Sequence, residues 1–457
     1  MVKKIDFTKR LSIVALSFGF FLTSCDTGGG GGGTTGLIYP LKVSSSGRYL
    51  VNQNNVPSLM IGDDAASLMV NVSLSDADYY LASRASQGFN AVSIELICDG
   101  YGGGRADAST FDGLEPFTTA GDLSTPNEAY FTRCDEMIRS AANHGITVML
   151  NPAEAAGFIS MLRANGVDKC KAYGRYLGNR YNSFDNLIWK SGCDFQTWSD
   201  PSDNALVKAI ASGIKETDSR HIHTLQLDSP ASSSLDDTLW SDVVALNAAY
   251  TYYPAYAEIL KDYNRTPVVP VFLDESDYEF ENGSDPDRLR RQEYWSFLAG
   301  ACGYIYGNTY VWPMIDGWKD NLDTTGASQL GYCKALFQSS SWYILVPDQM
   351  HTLVTAGYGT YWSGGTPHSG ISLNDYVTAA STPDDKCALA YIPTARTITV
   401  DLTRLSGTIT ARWYDPTAGT YQPITGSPFL NTASQTFTTP GVHADGAGDW
   451  VLVLEVQ

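Results

Sequence analysis

The chain has 457 residues, with 30 basic and 49 acidic side chains and a formal net charge of −19. A surface this acidic repels phosphate backbones, which argues against nucleic acid as a partner. The length exceeds one typical domain and suits a large domain with a small one. Low charge density with plentiful Gly, Ser, Thr, Asn and Tyr fits a protein that works on carbohydrate outside the cell.

Lys3, Lys4, Lys9 and Arg10 precede an apolar run from Leu11 to Leu22. The run is too short to span a bilayer but suits the core of a signal peptide. It ends in Leu22-Thr23-Ser24-Cys25, which resembles the bacterial lipobox and implies cleavage before Cys25 and acylation of its thiol. Residues 1–24 are therefore expected as leader, and residues 25–36, with a run of six glycines, as a flexible tether. No later segment approaches a transmembrane span, so the lipid is the expected anchor. The expectation is an exported bacterial lipoprotein, facing the periplasm or at the cell surface, with a monomer favoured.

From Ile38 to Leu50 the sequence reads as a short strand pair. Apolar runs then alternate with amphipathic stretches, as in βα units around a parallel sheet. The predicted strands are Ser58–Gly62, Ala91–Leu96, Thr147–Asn151, Asn186–Lys190, Thr224–Leu227, Val243–Asn247, Val268–Leu273 and Gly303–Tyr306. Predicted helices cover Asp76–Gln87, Pro126–Asn143, Arg163–Asn182, Ser202–Thr217, Pro254–Tyr263, Pro286–Ala299 and Ala327–Phe337. Eight such units predict an α/β fold, a (β/α)8 TIM barrel over 37–346. A doubly wound open sheet is the alternative, but no glycine-rich phosphate loop follows the first strand. Beyond Pro347 the helical period fades. Ala388–Ile392, Thr397–Leu402, Thr408–Tyr414, Gln435–Thr438 and Trp450–Glu455 read as strands of a small C-terminal antiparallel β-sandwich over 347–457.

Beyond Cys25 there are Cys98, Cys134, Cys170, Cys193, Cys302, Cys333 and Cys387, an odd set that leaves at least one unpaired. None lies in a zinc-ligand spacing, so no structural zinc and no cofactor is expected. Active sites of such barrels lie at the C-terminal ends of the strands. That rim offers Asp63, Glu95, Asn151, Asp194, Gln226, Tyr250, Glu275, Tyr306, Asn308 and Trp312. It has neither a histidine cluster nor a G-x-S-x-G elbow. Acidic, amide and aromatic groups suit a sugar: aromatic faces stack on rings and amides bond hydroxyls. Acetal cleavage needs an acid for the leaving oxygen and a carboxylate for the oxocarbenium-like carbon. Asp194 and Glu275 close strands four and seven, nearly opposite in an eight-stranded ring.

Three stretches carry a family resemblance: Leu41-Lys42-Val43 to Ile61-Gly62-Asp63, Asn186-Leu187-Ile188-Trp189 to Gly192-Cys193-Asp194, and Pro270-Val271-Phe272-Leu273-Asp274-Glu275 to Tyr278-Glu279. With Arg291-Gln292, Tyr294-Trp295, Tyr306-Gly307 and Trp312 they resemble the apiosidase-like catalytic domain, glycoside hydrolase family 140 and its relatives. The tail from Leu345-Val346-Pro347-Asp348-Gln349 looks like the small β-domain that often accompanies it under a collagen-binding label. The resemblance implies Asp194 as acid/base, Glu275 as nucleophile, and retention of anomeric configuration. The substrate it implies is a plant or algal polysaccharide side chain, with apiosyl or other pentosyl linkages the nearest class. Three positions depart from the family pattern: Asp64-Ala65-Ala66 where a Trp is usual, Cys193 where Gly is common, and Asn308 where His is frequent.

Each role has a plainer counterpart. Asp194 can instead cap the following turn, and Glu275 can be an outer acceptor. Glu95 can bind a sugar hydroxyl or support the nucleophile, and Trp312, Tyr250 and Tyr306 can be platforms or barrel packing. Asp274 and Asp277 are expected to point away from the site, because neighbours in a strand alternate. His144 is expected on the non-catalytic side. The alternative to an enzyme is a lipid-anchored carbohydrate-binding or matrix-adhesion protein that has lost catalysis.

Overall fold

The computed structural model describes residues 39–457. The expected leader, Cys25 and the glycine tether lie outside them. Eight parallel strands form the barrel: β1 Met60–Asp64, β2 Ala91–Glu95, β3 Thr147–Asn151, β4 Leu187–Gly192, β5 His223–Gln226, β6 Asn247–Thr251, β7 Val271–Glu275 and β8 Gly303–Tyr306. Ladders run without a break from β5 back through β1 to β8, β7 and β6. Only β5 and β6 lack a ladder. There Ser234 bridges the gap: its Oγ donates to the Leu225 carbonyl at 2.5 Å and accepts the Ala248 amide at 2.8 Å.

Alternation sorts the strand side chains into two layers. Met60, Ala91, Met149, Ile188, Ala248, Phe272 and Ile305 fill the interior, with Leu41 and Leu50 of the N-terminal strands joining them. The intervening residues pack against the helices: Val148, Leu150, Leu187 and Trp189 on one side, Ile61, Leu273, Tyr304 and Tyr306 on the other. The longer helices are α1 Leu74–Ser86, α2 Glu128–Asn143, α3 Ala155–Tyr181, α4 Pro201–Thr217, α5 Ala255–Tyr263, α6 Pro286–Leu298 and α7 Thr325–Gln338. Ser73, Asn127, Asp200 and Asp285 cap their first turns, and Pro201 and Pro286 occupy the first helical position of α4 and α6.

Three elements differ from expectation. α3 begins well before Arg163, since two helical segments join across Gly166, whose φ of 74° interrupts the helix. β6 lies later than Val243–Asn247, because Val243 and Val244 pack as a loop behind the sheet rather than as a strand. β7 starts at Val271, after Pro267 and Pro270, which cannot donate to a ladder.

Beyond α7 come two antiparallel sheets. The larger includes Thr378–Ser381, Cys387–Ile392, Thr408–Asp415 and Trp450–Val456; the smaller joins Val354–Ala356, Thr397–Asp401 and Ser434–Thr438. Ala388, Ala390, Ile392, Leu452 and Leu454 face the smaller sheet. Leu389, Tyr391, Val451 and Val453 face the barrel helices, so the larger sheet is buried on both sides. Arg290 of α6 fastens this junction, donating to Asp449 from Nε at 2.8 Å and Nη2 at 2.9 Å. The seven cysteines among the described residues are unpaired, and all but Cys387 are buried.

Glu293 of α6 is fully buried, and neither carboxyl oxygen has a partner. Burial pushes it up from 4.5 to about 8. A carboxyl raised on folding stabilises the fold fully below about pH 4.5, and that contribution is lost as pH rises to about 8. Glu293→Gln is therefore expected to be more stable than the parent at pH 8, by about 1–2 kcal/mol, with little difference at pH 5. Thermal melts at both values check this; equal gains at both would refute it.

Candidate active site

The C-terminal mouth of the barrel holds a cavity of about 230 Å³. Asp64, Glu95, Glu154, Asp194, Glu275 and Glu281 line it, with Tyr101, Gln226, Tyr252, Tyr278 and Trp312. Asp194 follows β4 through three consecutive left-handed residues, Gly192, Cys193 and Asp194, with φ of 85°, 63° and 42°. Gly192 has no room for a side chain, since a Cβ would lie 2.1 Å from the Gln226 carbonyl. Cys193, at φ of 63°, takes a backbone that glycine adopts more easily than other residues.

Glu275 enters the site through an irregularity. Between β6 and β7, Ala249 pairs with Leu273 and Tyr250 with Glu275, so Asp274 is skipped. Strict alternation after inward Phe272 would send Glu275 outward. The bulge lets Asp274 and Glu275 both serve the barrel interior. Asp274 thus does not point away as expected: it accepts from Lys190 Nζ at 2.9 Å beneath the cavity. Asp277 does lie outside the cavity, bonded to Arg288 at 2.8 Å, and His144 pairs with Asp78 at the end of α2.

Gln226 joins the two candidate catalytic groups. Its Oε1 accepts the Asp194 amide at 3.0 Å, and its Nε2 donates to Glu275 Oε2 at 3.0 Å. Tyr252 OH donates to the other Glu275 oxygen at 2.9 Å. Asp194 Oδ2 accepts from Tyr101 OH at 2.8 Å, and Oδ1 is buried without a partner, free for a ligand. Burial, followed by the charge of Asp194, pushes Glu275 well above the ordinary carboxylate range. Glu275 accordingly holds a proton more readily than an isolated carboxylate would.

A second acidic pair lies beside it. Burial raises both Glu95 and Glu154 above the ordinary carboxylate range, each reinforced by a neighbouring negative charge. The loop carrying Tyr101 folds tightly over Glu95: a Cβ on Gly102 would stand 2.5 Å from its Oε2. Burial also brings Asp64 up to about 7, although Tyr278 OH donates to it at 2.9 Å. Trp312 Nε1 donates to Glu281 at 2.8 Å and leaves its ring as one wall. Among the described residues, no group of three or more His, Cys, Asp or Glu side chains could hold a metal ion.

Of the expected rim residues, Asp194, Glu275, Glu95, Gln226 and Trp312 line the cavity. Asp63 does not. It shares the outward phase of Ile61 and bonds Arg84 Nε and Tyr80 OH behind the wall, each at 2.6 Å. Tyr306 has the outward phase of Tyr304 and donates to Glu279. Asn308 is buried nearby, accepting the Tyr310 amide at 2.9 Å. Asn151 accepts the Ala153 amide at 3.3 Å and stays outside the cavity lining. Tyr250 stands behind Tyr252, their hydroxyls 2.9 Å apart. Asp64, Tyr101, Glu154, Lys190, Tyr252, Tyr278 and Glu281 were not expected in the lining. Counting by two from Met60 would have found Asp64; Tyr101 and Glu154 lie on loops with no periodic signal.

Asp63→Asn is expected to leave buried Arg84 without its counter-charge and to cost about 3–5 kcal/mol of stability. Because Asp63 lies behind the wall, KM for an accepted glycoside should not change. Denaturant melts and steady-state kinetics check both; a raised KM with unaltered stability would return Asp63 to the substrate site.

A (β/α)8 barrel with an acidic, aromatic mouth, one carboxylate just after β4 and another at the end of β7, defines a glycoside hydrolase. The profile described as "Apiosidase-like, catalytic domain" matches residues 44–344, and the chain belongs to that family. A second profile, "Putative collagen-binding domain of a collagenase", matches residues 370–455. Among solved structures, a glycoside hydrolase is similar at 22% identity with a TM-score of 0.77, covering 91% of this chain and 97% of its own. A glycoside hydrolase family 5 protein from Bacteroides vulgatus is similar at 22% identity with a TM-score of 0.79, covering 91% and 92%. No curated protein matches the chain.

Proposed function

We propose that the chain hydrolyses glycosidic linkages in side chains of plant or algal polysaccharides, with retention of configuration. Apiosyl or other pentosyl groups are the nearest substrate class, which the family supports. The observation that carries the reading is the Gln226 bridge, which sets Asp194 and Glu275 together in one small acidic cavity. Asp194 gives its proton to the departing oxygen while the Glu275 carboxylate bonds the anomeric carbon and the C–O bond breaks. Water then attacks the glycosyl ester; Asp194 takes a proton from it, and Glu275 departs as carboxylate. Tyr252 and Gln226 donate to Glu275 and so work against the burial and the Asp194 charge that favour its protonated form, toward the carboxylate that the first step needs.

A panel of plant and algal polysaccharides, with released sugars identified by chromatography and proton NMR, tests the reading. The expected result is release of a pentose whose first-formed anomer retains the substrate's configuration. An inverted first product overturns retention, and no release from any member overturns the function.

The leader and Cys25 support a mature chain held on a membrane by lipid. In the producing cell, Cys25→Ser is expected to move the protein from the membrane to the soluble fraction; unchanged partition would refute the anchor.

A further inference from the structure

The segment that leaves the barrel for the sandwich returns to the barrel mouth. His368 lies in it, between the two family matches, which end at residue 344 and begin at residue 370. The His368 amide donates to the Tyr252 carbonyl at 2.7 Å. Its ring lies against the Tyr252 ring, with centroids 4.5 Å apart and planes 37° apart. Its Nδ1 is paired with Asp277 Oδ1, two residues beyond Glu275. Arg288 holds the other Asp277 oxygen at 2.8 Å and also donates to Ser372 Oγ at 3.0 Å. Upstream in the segment, the Trp362 amide donates to Tyr256 OH at 2.7 Å and its ring packs 5.4 Å from Tyr253.

His368 is held with φ of 62°, a backbone that non-glycine residues adopt only when their surroundings impose it. Those surroundings are the Tyr252 backbone, the Tyr252 ring and Asp277. The far end of Tyr252 donates to Glu275.

We propose that His368 is a positioning residue: clamped by Asp277, it fixes Tyr252 so that its hydroxyl donates to Glu275, and the chain beyond the barrel thereby completes the active site. This rests on Glu275 being the nucleophile for its catalytic meaning, but the hydrogen-bond linkage stands apart from turnover. Holding the phenol against Glu275 favours the ionised carboxylate, and freeing it favours the protonated form. The Asp277 pairing and the ring contact are separable. His368→Asn keeps a donor for Asp277 without the ring, and His368→Phe keeps a ring without the donor.

The test uses the full chain. Glutamate carboxyl carbons are labelled with carbon-13, Glu275 is assigned by its loss in Glu275→Gln, and its titration is followed by NMR without substrate. Each His368 variant and Tyr252→Phe are expected to raise the Glu275 midpoint, by about half a pH unit to one unit. The double variant of His368→Phe with Tyr252→Phe should rise no further than Tyr252→Phe alone, because both act through one hydroxyl. On a glycoside found by the polysaccharide panel, kcat should fall about tenfold or more, with KM within about twofold. An unmoved midpoint in properly folded His368→Asn and His368→Phe, or additive shifts in the double variant, would overturn the proposal. Melting curves establish folding; if one variant fails to fold, the other carries the test. Failure of the panel with the midpoint shifted would overturn the hydrolase reading and leave the positioning role supported.

Discussion

Glu275→Gln is expected to abolish turnover on any glycoside the protein accepts, by at least about 10⁴-fold in kcat. The amide has nearly the shape of the acid but cannot form the glycosyl ester or answer positive charge at the anomeric carbon. Its surroundings would tolerate it: the amide oxygen can keep the Gln226 donor, while the Tyr252 hydroxyl turns to accept from the amide nitrogen and donate to Tyr250. The fold should therefore persist, and replacing a buried group whose charge is disfavoured should not lower the melting temperature. Kinetics and melting together make the check. Near-parental activity would remove Glu275 from the chemistry and favour another carboxylate of the cavity, with Glu95 and Asp64 the next to replace.

Asp194→Asn is the second large effect, and its signature is different. Removing the acid should cost about 10²–10⁴-fold on substrates with poor leaving groups. An activated aryl glycoside needs no protonation, so its first step should be nearly spared and a glycosyl-enzyme should accumulate. Azide, which needs no base to attack, should then restore turnover and give a glycosyl azide of retained configuration. Loss of activity that is equal for good and poor leaving groups, with no azide effect, would move the acid/base role elsewhere. Tyr101→Phe, which removes the one hydrogen bond to the Asp194 carboxyl, should show a weaker form of the same pattern.

The βα alternation was legible because it depends on local periodicity. Runs such as Thr147–Asn151 and Gly303–Tyr306 carry their strand character in every residue and lie where expected. Val243–Asn247 misled because a short apolar run buried behind a sheet looks like a strand within it. In the sandwich, Thr397–Asp401 and Trp450–Val456 were plain, whereas Thr420–Pro423, exposed throughout, offered no contrast between faces. The rim followed the same logic. Glu95 and Gln226 end strands in the inward phase, whereas Asp63 and Tyr306, equally polar or aromatic, have the outward one.

By itself, then, the sequence determined a barrel of eight βα units, a β-rich tail, and acidic groups closing strands four and seven. It could do so because alternation and turn chemistry are written into neighbouring residues. Tertiary structure alone decided how those groups are used. The bulge that skips Asp274 depends on pairing with β6, and it turns Glu275 into the cleft. Glu154 comes to Glu95, Tyr101 to Asp194 and His368 to Tyr252 from points far apart in the chain. Such meetings are set by loop paths and packing across the whole molecule, and no spacing along the chain encodes them.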